Sequence, residues 1–404
     1  MHIERWIRGP IGMDADRRVT RAGCHTVLVT VPTVAAGTRL LDLLMLLEGD
    51  HRLQVLFTVP EATGSWQGTT EYVRDLGPVL VPWQQATQHH FDLVLAASYA
   101  ELEQVHGRVL VVPHGASSLM SRRFSRSAGS SALPHTGLAR ETLTHRGRLI
   151  PSVVALTHDK ELEALSRSCP EALPNALVVG DICFDRMMAS QPIRDRYRQA
   201  LGVCHGQHLI TVSSTWSTES AFGQHPLLCE ALLAQLPRSE YRVALVLHPS
   251  VWAVHGRWQI RTWLASCIRA GLLVVPPEQG WQAAMVASDW VIGDHGSTTQ
   301  YAAALGTPVL LASYPQHSVR PGSIAAAVAA LAPTLDIDKP VISQLDRAME
   351  VCGIRSGTIA ELITSRPAQS ARLLRTAMYR LLNLAEPAHQ AVAPPVASPC
   401  PIRL

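Results

Sequence analysis

The stretch that decides the fold is residues 288–308, which read SDWVIGDHGSTTQYAAALGTP. A short apolar run at 290–292 is followed by a glycine turn, and a helical segment opens on Ser297 and Thr298. A Gly-Thr-Pro turn then leads into the next apolar run. This order predicts a strand, a turn, a helix and a second parallel strand, which is the repeating unit of α/β proteins.

The same alternation continues on both sides of this stretch. In the second half, the predicted strands are Leu209–Val212, Val243–Leu247, Leu272–Val275, Trp290–Ile292 and Val309–Ala312. In the first half, they are Thr26–Val31, Leu53–Val59, Val79–Val81, Leu93–Ala97, Val109–Val112, Val153–Leu156 and Ala176–Val179. Each run is short and bounded by turn residues, as expected for strands buried on both faces. The pattern predicts an α/β protein with two Rossmann-like domains facing a central cleft.

A chain of 404 residues is too long for one ordinary core. We predict a flexible leader at 1–23, an N-terminal Rossmann-like domain at 24–190 and a C-terminal Rossmann-like domain at 191–368. A C-terminal helix is expected at 369–384. The Pro/Ala-rich residues 385–404 have the composition of a disordered tail.

Composition narrows the function classes. The net charge of +3 argues against a dedicated nucleic-acid binder. The eight cysteines form no CxxC pair or zinc-ligand spacing, so no metal or bound cofactor is predicted. The N-terminal sequence lacks an export signal and no apolar run could span a bilayer, so we expect a cytoplasmic protein without a transmembrane segment. The Ser/Arg/Gly-rich segment 116–136 is typical of a mobile loop.

Two histidines directly follow predicted strands, where ligands bind in open α/β sheets. His114 precedes Gly115 and could take a proton from an attacking hydroxyl near neutral pH, or could cap the sheet edge. His248 precedes Pro249, which holds it in an extended conformation. It could stabilise negative charge on a leaving diphosphate, or could be a histidine at the edge of the core.

Two clusters of small polar residues also follow strands. Residues 213–215 (Ser213, Ser214 and Thr215) offer hydroxyls and amides for a phosphate, but the same composition is typical of a helix N-cap. Residues 294–298 (Asp294, His295, Gly296, Ser297 and Thr298) lie at the start of a helix, whose free N–H groups and partial positive charge favour phosphate. An acidic neighbour for a phosphate is unusual, so Asp294 is expected to orient a histidine or to cap the helix. A merely capped helix is the alternative.

Taken in order, these clusters resemble the glycosyltransferase-B (GT-B) superfamily and, more narrowly, the CDP-glycerol glycerophosphotransferase family of teichoic-acid polymerases. The matches to its motifs, in chain order, are His114-Gly115, Gly180–Asp185, Val212–Trp216, Leu247–Pro249, Asp294–Ser297 and Pro308. Two positions depart from the family pattern. Its Tyr-Ser step is His295-Gly296 here, and the acidic residue that nucleotide-sugar relatives place on the helix falls at Tyr301.

The resemblance implies a metal-independent transferase that uses a nucleotide-diphosphate donor as co-substrate. His114 would act as the base on the acceptor hydroxyl. His248, Ser297 and Thr298 would hold the donor diphosphate, and Asp294 would support the site. The transferred group could be a sugar or a polyol phosphate, and the acceptor a small molecule or a cell-wall polymer.

Two other functions fit the same architecture. A UDP-sugar 2-epimerase would need several carboxylates for proton abstraction next to the anomeric centre, whereas these strand ends carry mainly His, Ser and Thr. A non-catalytic nucleotide- or carbohydrate-binding protein could also use the fold.

Overall fold

The computed structural model describes residues 6–12, 15–61, 68–119, 137–355 and 357–402, and these residues form two compact units. Unit 1 consists of Met1–His114, Gly137–Ile182 and Arg366–Val392. Unit 2 consists of Gly115–Thr136, Cys183–Ser365 and Ala393–Leu404. Most of the predicted mobile loop at 116–136 lies outside the described residues.

Unit 1 is built on a six-stranded parallel sheet with the order β2-β1-β3-β4-β7-β8. Its strands are β1 His25–Thr30, β2 Leu53–Thr58, β3 His90–Ala96, β4 His106–Val111, β7 Val153–Leu156 and β8 Ala176–Val178. A small antiparallel pair consists of β5 Thr144–His145 and β6 Arg148–Leu149. Its helices are α1 Val34–Leu44, α2 Thr69–Asp75, α3 Trp83–Ala86, α4 Arg140–Leu143, α5 Asp159–Ser168 and α18 Ser370–Leu382.

Unit 2 is built on a five-stranded parallel sheet with the order β11-β10-β9-β12-β13. Its strands are β9 His208–Ser214, β10 Tyr241–Leu247, β11 Leu273–Val275, β12 Trp290–Gly293 and β13 Val309–Leu311. The helices between the strands are α8 Ala221–Gln224, α9 Leu228–Gln235, α10 Pro249–His255, α11 Arg257–Trp263, α12 Ala265–Arg269, α13 Trp281–Ala287 and α14 Ser297–Ala304. The remaining helices are α6 Ile182–Ser190, α7 Arg194–Ala200, α15 Ile324–Leu331, α16 Val341–Arg355 and α17 Gly357–Ile363, with α6 beginning at the border of the two units.

The sheet of unit 2 is covered on both faces. Neighbouring residues of β9, Leu209 and Ile210, are fully buried and belong to two different hydrophobic clusters. Ala244 and Leu245 of β10 divide between the same two clusters. Burying a Leu or Ile side chain contributes about 1.5–3 kcal/mol. This two-sided burial explains why the strands appear in the sequence as continuous apolar runs rather than as alternating patterns.

The two ends of the chain are ordered where described, which differs from the expected flexible leader and disordered tail. In unit 1, Ile11 is buried and Ile7 exchanges two hydrogen bonds with the Gln85 amide, of 2.8 and 2.9 Å. In unit 2, Val396 is buried and its carbonyl accepts a hydrogen bond of 2.8 Å from the Tyr197 hydroxyl. Prolines restrict the unfolded tail, so less entropy is lost when it is ordered.

The division into units also differs in detail from the predicted boundaries. The first long segments of unit 1 end at residue 182 rather than 190, and residues 366–392 return to it. The predicted C-terminal helix is present as α18 and belongs to unit 1. A boundary read along the chain cannot anticipate such a return, because it depends on which surface the last helix covers.

Candidate functional site

Three strand ends meet at the carboxyl edge of the sheet in unit 2. Strand β9 lies between β10 and β12, with Ser214 opposite Leu247 and Val212 opposite Ile292. The next residue after β10, His248, donates its backbone N–H to the Ser214 carbonyl at 2.9 Å. The sheet order therefore brings together the loops that follow β9, β10 and β12, as predicted for a ligand site in an open α/β sheet.

The Asp294 carboxylate connects these loops. Its Oδ2 accepts hydrogen bonds from the backbone amides of Thr215 and Ala221, both at 2.9 Å, and its Oδ1 accepts one from Gly296, also at 2.9 Å. The Ser214 hydroxyl lies 3.4 Å from Oδ2. Asp294 is 1% exposed, so it holds the loop after β9 against the start of α14 rather than facing a substrate.

Electrostatics around Asp294 act in both directions. Burial raises the pKa of its carboxyl above the ordinary value, and His295 and the amides of Ala221, Gly296 and Thr215 offset only part of this rise. A carboxylate that accepts several backbone N–H groups is stabilised in its charged form. His295 is itself 4% exposed, and its charge acts on the Asp294 carboxyl.

The start of α14 approaches the sheet closely because two glycines precede it. A Cβ at Gly293 would lie 2.2 Å from the Thr299 hydroxyl, which accepts a hydrogen bond of 3.2 Å from the Asp294 amide. Gly296 is the N-cap residue and offers no side chain for capping. The helix therefore starts at Ser297, partly exposed, without a capping side chain at the position before it. Free N–H groups in a first turn are the groups that bind phosphate.

The hydrogen-bond partner of His248 determines which of its ring nitrogens carries the proton. It caps α10, and its Nδ1 accepts a hydrogen bond of 3.1 Å from the Ser250 amide. Because an amide N–H can only donate, Nδ1 carries the lone pair and the neutral ring has its proton on Nε2. The ring is half-buried and lies 6.5 Å from the Trp216 ring, centre to centre. His248 can therefore cap α10 at the edge of the core through Nδ1 and still present its Nε2–H as a donor to an anion.

His114, in unit 1, has the opposite arrangement. It follows β4, and its Nδ1 lies 3.0 Å from the Ala97 carbonyl oxygen. A carbonyl only accepts, so Nδ1 carries the proton and Nε2 of the neutral ring has a free lone pair. A nitrogen in this state can remove a proton from a hydroxyl group. The ring is exposed to solvent.

The surroundings of His114 favour its neutral form. Desolvation by the protein atoms packed around the ring lowers its pKa, the bond to Ala97 raises it, and the charge of Arg39 lowers it further. Arg39 is held by a buried ion pair with Asp181, N to O 3.1 Å. Because water still reaches the histidine ring, solvent screens part of these effects. The lowered pKa nevertheless keeps Nε2 of His114 unprotonated at neutral pH.

Solved structures with the same architecture include the wall teichoic acid polymerase TagF. It is 12% identical, with 89% of each chain covered and a TM-score of 0.61. The chain has the GT-B fold. A putative UDP-N-acetylglucosamine 2-epimerase from Listeria monocytogenes is 12% identical, with 91% of this chain and 100% of that chain covered and a TM-score of 0.53. No protein-family model matches the chain, and no curated protein matches it by sequence.

The prediction of a GT-B fold with two Rossmann-like domains, made from the order of the motifs, is thereby confirmed. At this identity the likeness shows the fold alone. None of the helices in the described ranges is both long and apolar enough to cross a lipid bilayer. Within those ranges, no three His, Cys, Asp or Glu side chains lie together as metal ligands.

The remaining predicted residues of unit 2 are placed as follows. Ser213 and Ser214 are buried at the end of β9, and the Ser214 hydroxyl accepts a hydrogen bond of 3.0 Å from the Phe222 amide. Ser220 is the N-cap residue of α8, so Ser214 serves an amide in the first turn of this helix from outside it. Thr215 is partly exposed beside Gly296, whose added Cβ would lie 3.0 Å from Thr215 Cβ. Thr298 is partly exposed in the first turn of α14.

Tyr301 stands where nucleotide-sugar relatives carry an acidic residue. It is 1% exposed, and its hydroxyl donates to the Gly115 carbonyl at 3.3 Å. Its ring also packs against Trp281, with the centres 5.7 Å apart. A side chain enclosed in this way does not bind a ribose, so the departure noted in the sequence is also a departure in structure.

Two further polar residues on loops that follow strands of unit 2 were not identified from the sequence: Glu219 after β9 and Arg320 after β13. Glu219 Oε1 lies 3.0 Å from the Ser318 hydroxyl and 2.9 Å from His317 Nε2, and the Ser313 hydroxyl donates to the Glu219 carbonyl at 2.6 Å. These contacts join the loop after β13 to the loop after β9.

Arg320 lies on the same loop after β13. Its guanidinium is partly buried and forms no ion pair or side-chain hydrogen bond with any described residue, and burial lowers its pKa. The signal was available in the sequence: Arg320 is the only Arg or Lys in the segments 215–220, 248, 276–280, 294–296 and 312–323, which follow the five strands.

Proposed function

We propose that the protein is a metal-independent transferase that moves a sugar or polyol-phosphate group from a nucleotide-diphosphate donor to an acceptor hydroxyl. The observation that carries the proposal is the pair of opposite histidine tautomers. His114 offers a lone pair at Nε2, as a base requires, and His248 offers an N–H at Nε2, as the binding of an anion requires.

In this reaction His114 Nε2 accepts the proton of the acceptor hydroxyl as the oxygen attacks. The Ala97 carbonyl then stabilises the imidazolium, because Nδ1–H donates to it more strongly once the ring is charged. The lowered pKa of His114 keeps the base ready at neutral pH. The acceptor can be a small molecule or a cell-wall polymer.

The donor diphosphate is proposed to bind at the carboxyl edge of unit 2. His248 Nε2–H and the first turn of α14, with the Ser297 and Thr298 hydroxyls, donate hydrogen bonds to its oxygens. Arg320 supplies the full positive charge that a leaving diphosphate needs when no metal takes part. Asp294 is a positioning residue, since its oxygens are taken up by the amides of the two loops.

Two outcomes of the attack are possible. If the oxygen attacks an anomeric carbon, the bond from that carbon to the donor phosphate breaks and a nucleoside diphosphate leaves. If it attacks the distal phosphorus, the bond between phosphorus and the bridging oxygen breaks and a nucleoside monophosphate leaves. A variant of the polymerase TagF soaked with CDPG shares the fold, at 11% identity, 89% and 88% coverage and a TM-score of 0.53, which makes CDP-glycerol the first donor to test.

The epimerase-like structure makes a sugar 2-epimerase the second candidate. That reaction needs a carboxylate that is free to abstract a proton. Asp294 is unsuitable because three amides occupy its oxygens, and Glu219 is engaged by Ser318 and His317. These contacts favour the transferase.

The experiment is a thermal-unfolding screen with CDP-glycerol and with CDP-, UDP-, GDP- and TDP-sugars, followed by analysis of the nucleotide released with an acceptor. A donor that binds the folded chain raises its unfolding temperature. His114→Gln should abolish turnover and keep donor binding. Conversion of a UDP-sugar without acceptor would instead identify an epimerase, and a protein that binds nucleotide but turns over no donor would be a binding protein.

A further inference from the structure

A polar cavity lies at the amino-terminal edge of the sheet in unit 2. Its volume is about 260 Å³, and it is lined by the last turn of α9, the turn that follows it, the start of β10 and the turn at 270–271. Two arginines, Arg238 and Arg242, contribute to the lining. Gly271 leaves room for the first of them, because a Cβ at this position would lie 3.0 Å from Arg238 Cζ.

The two guanidinium groups have no counter-ion in the described part of the chain. Arg238 is exposed to solvent, whereas Arg242 is half-buried. Neither forms an ion pair or a side-chain hydrogen bond there, and Arg242 Nε is hidden from solvent without a hydrogen-bond partner. Burial lowers the pKa of Arg242, the charge of Arg238 lowers it further, and Cys204 raises it. A buried donor without a partner destabilises the folded state, and the effect is larger when the donor is charged.

The nearby helix ends do not account for both charges. Helices α9 and α12 end at the cavity, and each helix C-terminus carries about half a negative elementary charge. Two such ends balance at most about one of the two guanidinium ions. They also leave Arg242 Nε without an acceptor.

We infer that this cavity binds a phosphate group, either as the free ion or as a monoester. Arginine presents a planar fork of N–H donors that matches phosphate oxygens, and a dianion would neutralise Arg238 and Arg242 together. The site is separate from the proposed donor site: Arg242 is near the start of β10 and His248 follows its end, about 20 Å away at the rise of an extended strand. The inference does not depend on the transferase activity.

The test is the thermal unfolding of the full chain, titrated with inorganic phosphate or glycerol phosphate against sodium chloride of equal ionic strength. Wild type is compared with R242Q, R238Q and R242K. The control is R269Q, at an exposed arginine of α12 outside the cavity lining. Phosphate should raise the unfolding temperature of wild type and R269Q, and R242Q should bind at least about tenfold more weakly, the loss expected for one charged hydrogen bond.

A second readout separates this site from a purely structural role. Without phosphate, R242Q should be at least as stable as wild type, because it removes a desolvated charge, and the order should reverse as phosphate is added. If R242Q is less stable by the same amount at every phosphate concentration, the arginine serves only the helix ends and the inference is wrong. Equal stabilisation by chloride, or an unchanged response in R242Q, would also overturn it. If R242Q does not fold, R238Q and R242K carry the same comparison, with R242K expected to be intermediate because it keeps the charge and loses the fork.

Discussion

Removing the Asp294 carboxylate should destabilise the loops that form the proposed donor site. The Ala variant leaves three amides, of Thr215, Ala221 and Gly296, without the acceptor they each reach at 2.9 Å. At about 1–3 kcal/mol for each unsatisfied buried donor, the cost is at least about 3 kcal/mol. In Asp294→Asn one oxygen remains and can still serve the Thr215 and Ala221 amides, so only the Gly296 bond is lost and the cost is about 1–3 kcal/mol.

The assay is urea unfolding combined with hydrogen exchange on peptides covering 214–221 and 294–300. Exchange is needed because a chain with two units need not unfold in one step, and it reports the local opening of these loops. The control is Asp338→Asn, an exposed carboxylate that forms no ion pair or side-chain hydrogen bond with a described residue. If Asp294→Ala unfolds within about 1 kcal/mol of wild type, with unchanged exchange in both peptides, the role assigned to this residue is refuted.

The other predictions concern the two histidines, Arg320 and Gly293. His114→Gln should lower kcat by about 10²–10⁴ with donor affinity unchanged. In wild type, kcat/KM should fall with decreasing pH only below the ordinary histidine pKa of about 6.5, because the pKa of His114 is lowered. His248→Asn keeps an acceptor for the Ser250 amide and loses the Nε2–H, so donor affinity should drop about tenfold while the free energy of unfolding stays the same. His248→Gln loses the cap of α10, so its free energy of unfolding in urea should fall by about 1 kcal/mol. Arg320→Gln should weaken binding of a nucleoside diphosphate about tenfold and of the nucleoside hardly at all by calorimetry, whereas equal loss for both would mean a general structural effect. Gly293→Ala should lower the unfolding temperature, since its Cβ would overlap the Thr299 hydroxyl. Gly357→Ala is the control for the loss of a glycine, because this exposed position has no positive φ and no atom within 4 Å of an added Cβ.

The strands were largely predictable because each is an uninterrupted apolar run between turn residues. Predicted Val153–Leu156 has the observed bounds, and predicted Val243–Leu247 differs from β10 only by two residues at its start. Val79–Val81 forms only an isolated bridge, between Leu80 and Phe57, although its composition is that of a strand. The run lies along the edge of β2, but it is flanked by Pro78 and Pro82, which have no N–H with which to extend the pairing.

The candidate site was predictable to the level of residue positions, not of hydrogen bonds. His248 and Asp294 could be assigned to strand ends from the sequence, but their partners, the amides of Ser250, Thr215 and Ala221, are set by the geometry of the loops. Without those partners the tautomer of a histidine and the role of a carboxylate stay open.

Unpaired charges were the part that the sequence could not reveal. Arg238 and Arg242 look like ordinary surface arginines in a chain of near-neutral charge. They stand out only in the folded structure, because no described residue near them supplies a counter-ion.

The protonation states of His114 and His248 can be read directly from ¹⁵N–¹H multiple-bond correlation spectra of histidine-labelled protein, with assignment by the two Gln variants. The account predicts opposite patterns at neutral pH: a protonated Nδ1 with an unprotonated Nε2 for His114, and a protonated Nε2 with an unprotonated Nδ1 for His248. If His114 shows a protonated Nε2, it has no lone pair for an acceptor hydroxyl and cannot be the base, and the proposed transferase mechanism is contradicted.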